Sequence, residues 1–210
     1  MQIEILGIES LGVRGLCCLV RTGGRTIVFD PGVALGYRRG ALLPHPIQVA
    51  VGERVRRDIE AALKDATDVV ISHFHGDHMP VPDPNPYQLK ADLVADSLRS
   101  ARLWVKGTED HTRRMRQRTE SFRHLIRRSL PNAEGATEGP VSFSTPTPHR
   151  EAGGSQGTIM MTRVESDGGV FVRASDVQLL EDKPVLQTLR WRPALLLISG
   201  PPLDRHLSCP

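Results

Sequence analysis

The chain has 210 residues, of which 39% are hydrophobic and 24% charged, with a formal net charge of +3. This length suits one α/β domain with a substantial core, and we expect a single domain over residues 1–210. No apolar run approaches the roughly 20 residues that span a bilayer. The first residues show no basic region followed by an apolar stretch, so we expect no secretory signal. Three cysteines do not suggest a disulfide scaffold. We therefore expect a cytoplasmic protein with no membrane partner, of unknown oligomeric state.

The first half of the chain is predicted to combine short strands with helices. Apolar and β-branched runs predict strands over residues 2–8, 15–21, 25–30, 68–72 and 103–105. Gly23-Gly24 predicts a hairpin turn between the second and third of these strands. Apolar side chains on one face predict a helix over residues 51–66. Gly- and Pro-rich loops are expected over residues 31–46 and 79–87, the second as part of a site rim.

A basic segment over residues 110–130 is predicted to form a helix with a partial apolar stripe. Its arginines are Arg113, Arg114, Arg116, Arg118, Arg123, Arg127 and Arg128. Two interpretations stay open. The segment is a solvated helix face, or its guanidinium groups contact phosphates, with nucleic acid as the partner. Aromatic residues make up only 4% of the chain, so no stacking platform accompanies the arginines.

The rest of the chain is predicted to form a second sheet. Apolar runs predict strands over residues 140–145, 158–165, 169–174 and 194–199. Residues 132–139 are expected to form a loop. Neither half contains an internal repeat.

The densest chemical signal follows the strand at residues 68–72. Four residues with metal-binding side chains occur within six positions: His73, His75, Asp77 and His78. Residues two apart in an extended segment point the same way, so His73 and His75 can share one metal while Phe74 points into the core. Gly76 lets the backbone turn, and Asp77 with His78 can then face a second metal. The other interpretation is a surface turn with solvated histidines.

The pattern His-x-His-x-Asp-His after an apolar strand resembles the signature of the metallo-β-lactamase superfamily. The resemblance implies an α/β fold, a four-layer αββα sandwich, and a metal-dependent hydrolase. The segments at residues 4–16, 72–80 and 174–178 resemble an archaeal metallo-hydrolase-like branch of it. The resemblance implies that members of that branch are longer than the 210 residues of this chain. We therefore expect this chain to be truncated in its second half, or divergent.

The resemblance implies further site residues at the ends of other strands. Asp30 matches an aspartate that supports the loop carrying His73 to His78 by hydrogen bonding. Considered by itself, Asp30 would be interpreted as the carboxylate of an ordinary turn. His149, after a Pro-rich approach, matches the third imidazole for the first metal; the alternative is a solvent-exposed loop histidine. Asp176 matches the carboxylate that bridges both metals, and could instead cap a helix.

The last ligand of the family pattern is the weakest match. His206 could fill that position, but it lies near the end of the chain, where order is usually poor. Otherwise the chain stops before that ligand, and water or Asp176 completes the second site.

These expectations lead to a hydrolase of small molecules. One or two divalent metal ions are expected, with zinc favoured and iron or manganese as alternatives. A metal-bound water would attack an ester, amide, thioester or phosphoester, and Asp77 would orient the nucleophile and accept its proton. Two further classes stay open: a nuclease or phosphodiesterase, supported by the arginine-rich segment alone, and a metal-binding or redox protein without hydrolysis.

Overall fold

The structure is a computed structural model that describes residues 1–9, 12–38, 41–149 and 157–201. The chain divides into two compact units, Met1–Glu134 and Gly135–Pro210. Each unit contains its own five-stranded sheet. A single domain over the whole chain stays a prediction.

The sheet of the first unit follows the order of its strands in the sequence. The strands are β1 Gln2–Ile8, β2 Leu16–Thr22, β3 Arg25–Phe29, β4 Asp68–Ile71 and β5 Arg102–Val105. The first three are antiparallel, and β3, β4 and β5 are parallel. All five predicted strands of this half are therefore confirmed. The hairpin is confirmed too, since Gly23 and Gly24 have φ angles of 55° and 75°, which suit a tight turn between β2 and β3.

The helices of this unit are α1 Pro46–Lys64, α2 Ala95–Ser100 and α3 Arg113–Ile126, with a 3-10 turn over Ala91–Val94 before α2. The predicted start of α1 at residue 51 was wrong. Pro46 occupies the first turn, where its missing N–H costs nothing. The His45 ring accepts a hydrogen bond from Ile47 N at 3.2 Å, and the Gln48 side chain accepts one from His45 N at 3.4 Å. This capping box starts the helix within the predicted loop.

The core of the first unit lies between α1 and one face of its sheet. Val55, Ile59 and Leu63 recur at every fourth position of α1 and are buried in one cluster with Val28 and Val69 of the sheet. Complete burial of such side chains contributes about 1.5–3 kcal/mol each. The apolar contacts fix β3 and β4 side by side, so the residues after both strands emerge at the same sheet edge.

The second unit contains a sheet with the strand order β12-β11-β10-β7-β6. Its strands are β6 Thr137–Glu138, β7 Val141–Phe143, β10 Thr162–Ser166, β11 Gly169–Ala174 and β12 Leu195–Ile198, while β8 Thr147–Pro148 pairs separately with β9 Thr158–Ile159. The strand predicted over residues 158–165 is thus two strands, and the loop predicted over residues 132–139 includes β6. The strands β11 and β12 are parallel, whereas the other strand pairs in the described part of this unit are antiparallel.

A helix that the sequence analysis missed, α4 Asp182–Trp191, separates β11 from β12. Its leucines Leu186 and Leu189 are exposed, and Pro184 lies in its first turn, where proline is tolerated. Among the helices in the described residues, none has the length and apolar character needed to cross a membrane.

Candidate metal centre

The site begins where β3 and β4 end side by side. These parallel strands pair Phe29 with Val70, and Asp30 N donates a hydrogen bond to Val70 O at 2.8 Å. The backbone of Asp30 then enters the left-handed region, with φ at 41°. A residue other than glycine rarely adopts this conformation, and such strained positions concentrate at functional sites.

The Asp30 carboxylate is fully buried and holds the start of the metal loop, which we define as residues 72–79. Oδ1 accepts a hydrogen bond from Ser72 N at 2.6 Å, and Oδ2 accepts one from Ser72 Oγ at 2.6 Å. Oδ2 also lies 3.0 Å from His78 Nδ1. If Nδ1 donates this hydrogen bond, Nε2 of the neutral ring carries the lone pair that can bind a metal. The expected hydrogen bonding of the loop by Asp30 is therefore present.

The three imidazoles of the metal loop lie together. Ring centroids are 4.6 Å apart for His73 and His75, and 4.3 Å apart for His73 and His78. Potential ligand atoms of Asp30, His73 and His78 all lie within 4.8 Å of one another. Phe74 is fully buried and packs edge-on against His111, with ring centroids 4.9 Å apart. Phe74 is therefore buried, as the sequence predicts, and the rings of His73, His75 and His78 lie together; that they bind a metal stays a prediction.

Asp77 has a partner that the sequence analysis did not find. Its Oδ2 forms an ion pair with Arg14 Nη2 at 3.3 Å, and lies 3.9 Å from His78 Nε2. Arg14 is 63 positions earlier in the chain, so no local sequence pattern predicts this contact. The ion pair orients the Asp77 carboxylate beside the His78 ring.

Two glycines let the metal loop approach the backbone beside β2 and β3. A Cβ at Gly32 would lie 2.6 Å from His78 N, and one at Gly15 would clash with Asp77 O. Gly15 also has a φ of 116°, which few other residues adopt. The Pro-Gly turn after Asp30 is therefore required by the close approach of His78.

Two side chains from elsewhere in the first unit hold the metal loop from its other side. Arg118 Nη1 donates a hydrogen bond to Phe74 O at 2.6 Å, and Gln88 Nε2 donates one to Gly76 O at 3.1 Å. Burial lowers the pKa of Arg118, but an arginine remains charged throughout the physiological range. Charge-assisted hydrogen bonds such as that of Arg118 are the stronger kind.

The second unit contains a matching pair of residues. His149 follows β8, Asp176 follows β11, and His149 Nε2 lies 3.0 Å from Asp176 Oδ2. Asp176 N donates a hydrogen bond to Ser199 Oγ at 2.8 Å. Like Asp30, Asp176 has a left-handed backbone, with a φ of 56°. The unit thus brings together the two residues that the sequence predicted in it, while His206 lies outside the described residues.

The donor chemistry of both groups fits a divalent metal. Imidazole nitrogen and carboxylate oxygen are the ligands of zinc, iron and manganese, and buried clusters of them are costly unless they bind a cation or pair with one another. That residues from the two units bind the same metal stays a prediction.

The fold and this loop define the class of the protein. The sequence profile of the Metallo-beta-lactamase superfamily matches residues 12–79, from the approach to β2 through the metal loop. The predicted superfamily is confirmed, and many of its members are hydrolases.

Whole-chain relatives place it more narrowly. A UPF0282 protein of Methanosarcina mazei is 48% identical over 203 residues, which cover 97% of this chain and 67% of that protein. A UPF0282 protein of Thermococcus gammatolerans is 31% identical, over 96% of this chain and 70% of that protein. The chain belongs to the UPF0282 family, within the metallo-β-lactamase superfamily.

Solved structures support the fold. The isothiocyanate hydrolase from Delia radicum gut bacteria matches with a TM-score of 0.53 and 14% identity, over 88% of this chain and 68% of that one. A Thermotoga maritima protein described as a metallo-beta-lactamase matches with a TM-score of 0.52 and 14% identity, over 97% and 99% of the two chains. At this identity the likeness concerns the fold alone, and it confirms the predicted α/β metallo-β-lactamase-like fold.

Proposed function

We propose that this protein is a metal-dependent hydrolase of a small molecule with an ester, amide, thioester or phosphoester bond. The observation that carries the proposal is the metal loop of the first unit. Three of its imidazoles lie together, and a fully buried carboxylate, Asp30, orients one of them. A purely structural loop would not need three adjacent imidazoles beside a buried charge.

We assign the metal ligands as two sets. His73, His75 and His149 would hold a first metal, Asp77 and His78 would hold a second, and Asp176 would contribute its carboxylate to both. Zinc is the favoured ion for this mixture of nitrogen and oxygen donors, with iron and manganese as alternatives. The assignment of a common centre to both units rests on the superfamily and on the chemistry of each group.

A bound divalent metal would make its water acidic enough to supply a nucleophile near pH 7. The side chains of the chain supply the rest. Asp77 would accept the proton of the attacking water, and its ion pair with Arg14 orients that carboxylate. Asp30 holds the His78 ring in one orientation throughout. Water adds to the acyl or phosphoryl atom, the bond to the leaving atom breaks, and the leaving group takes up a proton.

Two alternatives have less support. A nuclease or phosphodiesterase is favoured by the exposed arginines of α3, including Arg113, Arg114 and Arg116. A non-hydrolytic metal or redox protein would hold iron, and its absorbance spectrum would distinguish it from a zinc protein.

Elemental analysis of the purified protein tests the proposal. We expect at least one divalent metal per chain. His75→Ala should lower metal affinity at least tenfold, because one imidazole ligand is lost. Hydrolysis of ester, lactone and phosphodiester probes should fall in parallel with the metal content.

His124→Ala is the matched control, since this exposed histidine lies on α3 away from the metal loop. It should retain the metal and the activity of the wild type. Unchanged metal affinity in His75→Ala would contradict the proposed centre. A fully loaded protein that hydrolyses none of the probes would favour the non-hydrolytic alternative.

A further inference from the structure

A polar pocket of about 440 Å³ lies between α3 and the Pro-rich segment that follows the metal loop. We call it the α3 pocket. One wall is the face of α3 that carries Arg114, Gln117, Arg118 and Ser121, which recur at helical spacing. The opposite wall includes Asn85 and Gln88, and Asp83 is the one carboxylate of its described lining. The pocket lies entirely within the first unit.

Two guanidinium groups face this pocket, and the charge of Asp77 raises the pKa of one of them, Arg118, by less than burial and Arg114 lower it. Among the described residues, neither Arg114 nor Arg118 forms an ion pair within 4.0 Å. They are close enough for the positive charge of Arg114 to help lower the pKa of Arg118, after the larger effect of burial. Two like charges one turn apart repel each other, and an anion between them would remove that repulsion.

The shape and chemistry of the pocket indicate which anion it fits. Guanidinium groups match the geometry of phosphate oxygens, and the amides of Asn85, Gln88 and Gln117 can bind hydroxyl groups. A volume of about 440 Å³ holds a small molecule rather than a lone ion. The described lining contains no aromatic ring on which a nucleobase could stack.

The pocket is also connected to the metal loop. Arg118 donates to Phe74 O, and Gln88 donates to Gly76 O. These carbonyls flank His75. A ligand that contacts both Arg118 and Gln88 would therefore contact the two side chains that hold the backbone on either side of His75.

We propose that the α3 pocket binds a small polar phosphate ester, with Arg114 and Arg118 holding its phosphate group. This site is distinct from the proposed metal centre and does not depend on the proposed hydrolysis. Its position beside the metal loop makes it suited to hold part of a substrate or a separate effector.

Calorimetric titration of the metal-loaded protein, at constant ionic strength, tests the pocket with inorganic phosphate and glycerol 3-phosphate as probes. We expect saturable binding of both, and tighter binding of the ester because it also reaches the amide side chains. Arg114→Gln should weaken binding at least tenfold, since it removes a charge-assisted contact. Arg118→Gln should weaken it too, but this variant also removes the hydrogen bond to Phe74 O.

Arg116→Gln is the matched control. It removes the same charge from the same helix, at an exposed position outside the pocket. Binding within twofold of the wild type is expected for this variant. Equal losses in the Arg114 and Arg116 variants, or no saturable binding by the wild type, would overturn the proposal.

Two further measurements separate this site from its alternatives. In His75→Ala, phosphate binding should persist even if the metal is lost; its disappearance would place the anion at the metal centre and refute the α3 pocket. A single-stranded oligonucleotide provides the other comparison. If it binds more tightly than glycerol 3-phosphate, and both arginine variants weaken it alike, α3 is a nucleic-acid surface and the pocket proposal is wrong. If phosphate binds to the α3 pocket, its effect on hydrolysis then separates an effector from a substrate group.

Discussion

His78 Nδ1 lies 3.0 Å from the Oδ2 atom of Asp30, a residue 48 positions earlier in the chain. Both side chains are almost completely excluded from water. The contact links the end of β3 to the loop after β4, so the pairing of two strands sets the orientation of an imidazole. A charged carboxylate at this depth is tolerated because Ser72 also donates two hydrogen bonds to it.

Asp30→Asn should lower metal affinity about 10–100-fold, the usual effect of losing a residue that orients a ligand. An amide keeps the size of the side chain, but it offers one acceptor oxygen where the carboxylate offers two. It is also a weaker acceptor than a carboxylate for a hydrogen bond donated by the His78 ring. Metal competition with a chromogenic chelator measures the affinity. Asp58→Asn, on the exposed face of α1, is the control and should leave affinity unchanged.

Gly32→Ala should destabilise the fold by about 1–3 kcal/mol, the typical cost of forcing an extra carbon into a packed site. The new Cβ would lie 2.6 Å from His78 N, and backbone atoms there cannot move aside cheaply. Urea denaturation measures the loss, and metal affinity should fall with it. The control is Gly168→Ala, where the nearest described atom is Ser166 Oγ at 3.8 Å. Equal stability of the two variants would contradict this account.

The parts of the site that the sequence predicts are those in which chemistry and strand pattern coincide locally. His73 to His78 follow a buried apolar run, and Asp30 ends another such run before a Pro-Gly turn. Because β3 and β4 are parallel neighbours, both strand ends meet at one edge. Period-two alternation predicted the burial of Phe74, and the ring of His73, which is also fully buried, lies beside that of His75.

The contacts that the sequence did not predict join residues far apart in the chain. Arg14 reaches Asp77, and Arg118 reaches Phe74 O, through long side chains whose direction depends on tertiary packing.

The predicted start of α1 was wrong because Pro46 was interpreted as part of a loop, although proline suits the first turn of a helix. The helix α4 was missed although Val185, Leu186 and Leu189 recur at helical spacing in the sequence.

Asp68→Asn should destabilise the protein by about 2–3 kcal/mol, because it leaves the half-buried Arg25 guanidinium without this charged partner. The Asp68 carboxylate accepts hydrogen bonds from Arg25 Nε at 2.9 Å, Trp104 Nε1 at 2.8 Å and Thr67 Oγ1 at 2.7 Å. Burial raises the pKa of Asp68, but these hydrogen bonds together outweigh that effect and leave it below its usual value. Chemical denaturation at pH 7 measures the difference.

The pH dependence of the free energy of unfolding tests whether folding lowers the pKa of Asp68. Since folding lowers the pKa of Asp68, its stabilising contribution is present above the unfolded pKa of about 3.9 and is lost as the pH falls through the folded value. The difference in free energy of unfolding between the wild type and Asp68→Asn should therefore become smaller below about pH 4. Glu120→Gln, which breaks an exposed pair with Arg123, should cost less than about 1 kcal/mol at any pH. A similar loss in both variants would show that burial of the Asp68 pair contributes nothing.

His111→Leu should make the protein less sensitive to acid. His111 is buried, and burial, with a smaller contribution from the Lys106 charge, lowers its pKa to about 4. Its Nδ1 lies 3.2 Å from Thr119 Oγ1, while Nε2 has no hydrogen-bond partner among the described residues. The neutral ring is therefore the form that the fold accommodates, packed against Phe74 beneath the metal loop.

The sign follows from proton linkage. Between about pH 6.5 and pH 4 the unfolded chain binds a proton at His111 that the folded chain does not, so stability falls as the pH is lowered through this window. The full shift corresponds to on the order of 2–3 kcal/mol. Denaturation of wild type and His111→Leu at pH 7 and pH 4.5 isolates this contribution, since the other groups titrate in both proteins. Between pH 7 and pH 4.5 the free energy of unfolding of the wild type should fall by at least 1 kcal/mol more than that of the variant, because this change in pH covers most of the range between the two pKa values of His111. Parallel losses would mean that His111 becomes protonated without cost, and that the contact with Phe74 does not require a neutral ring.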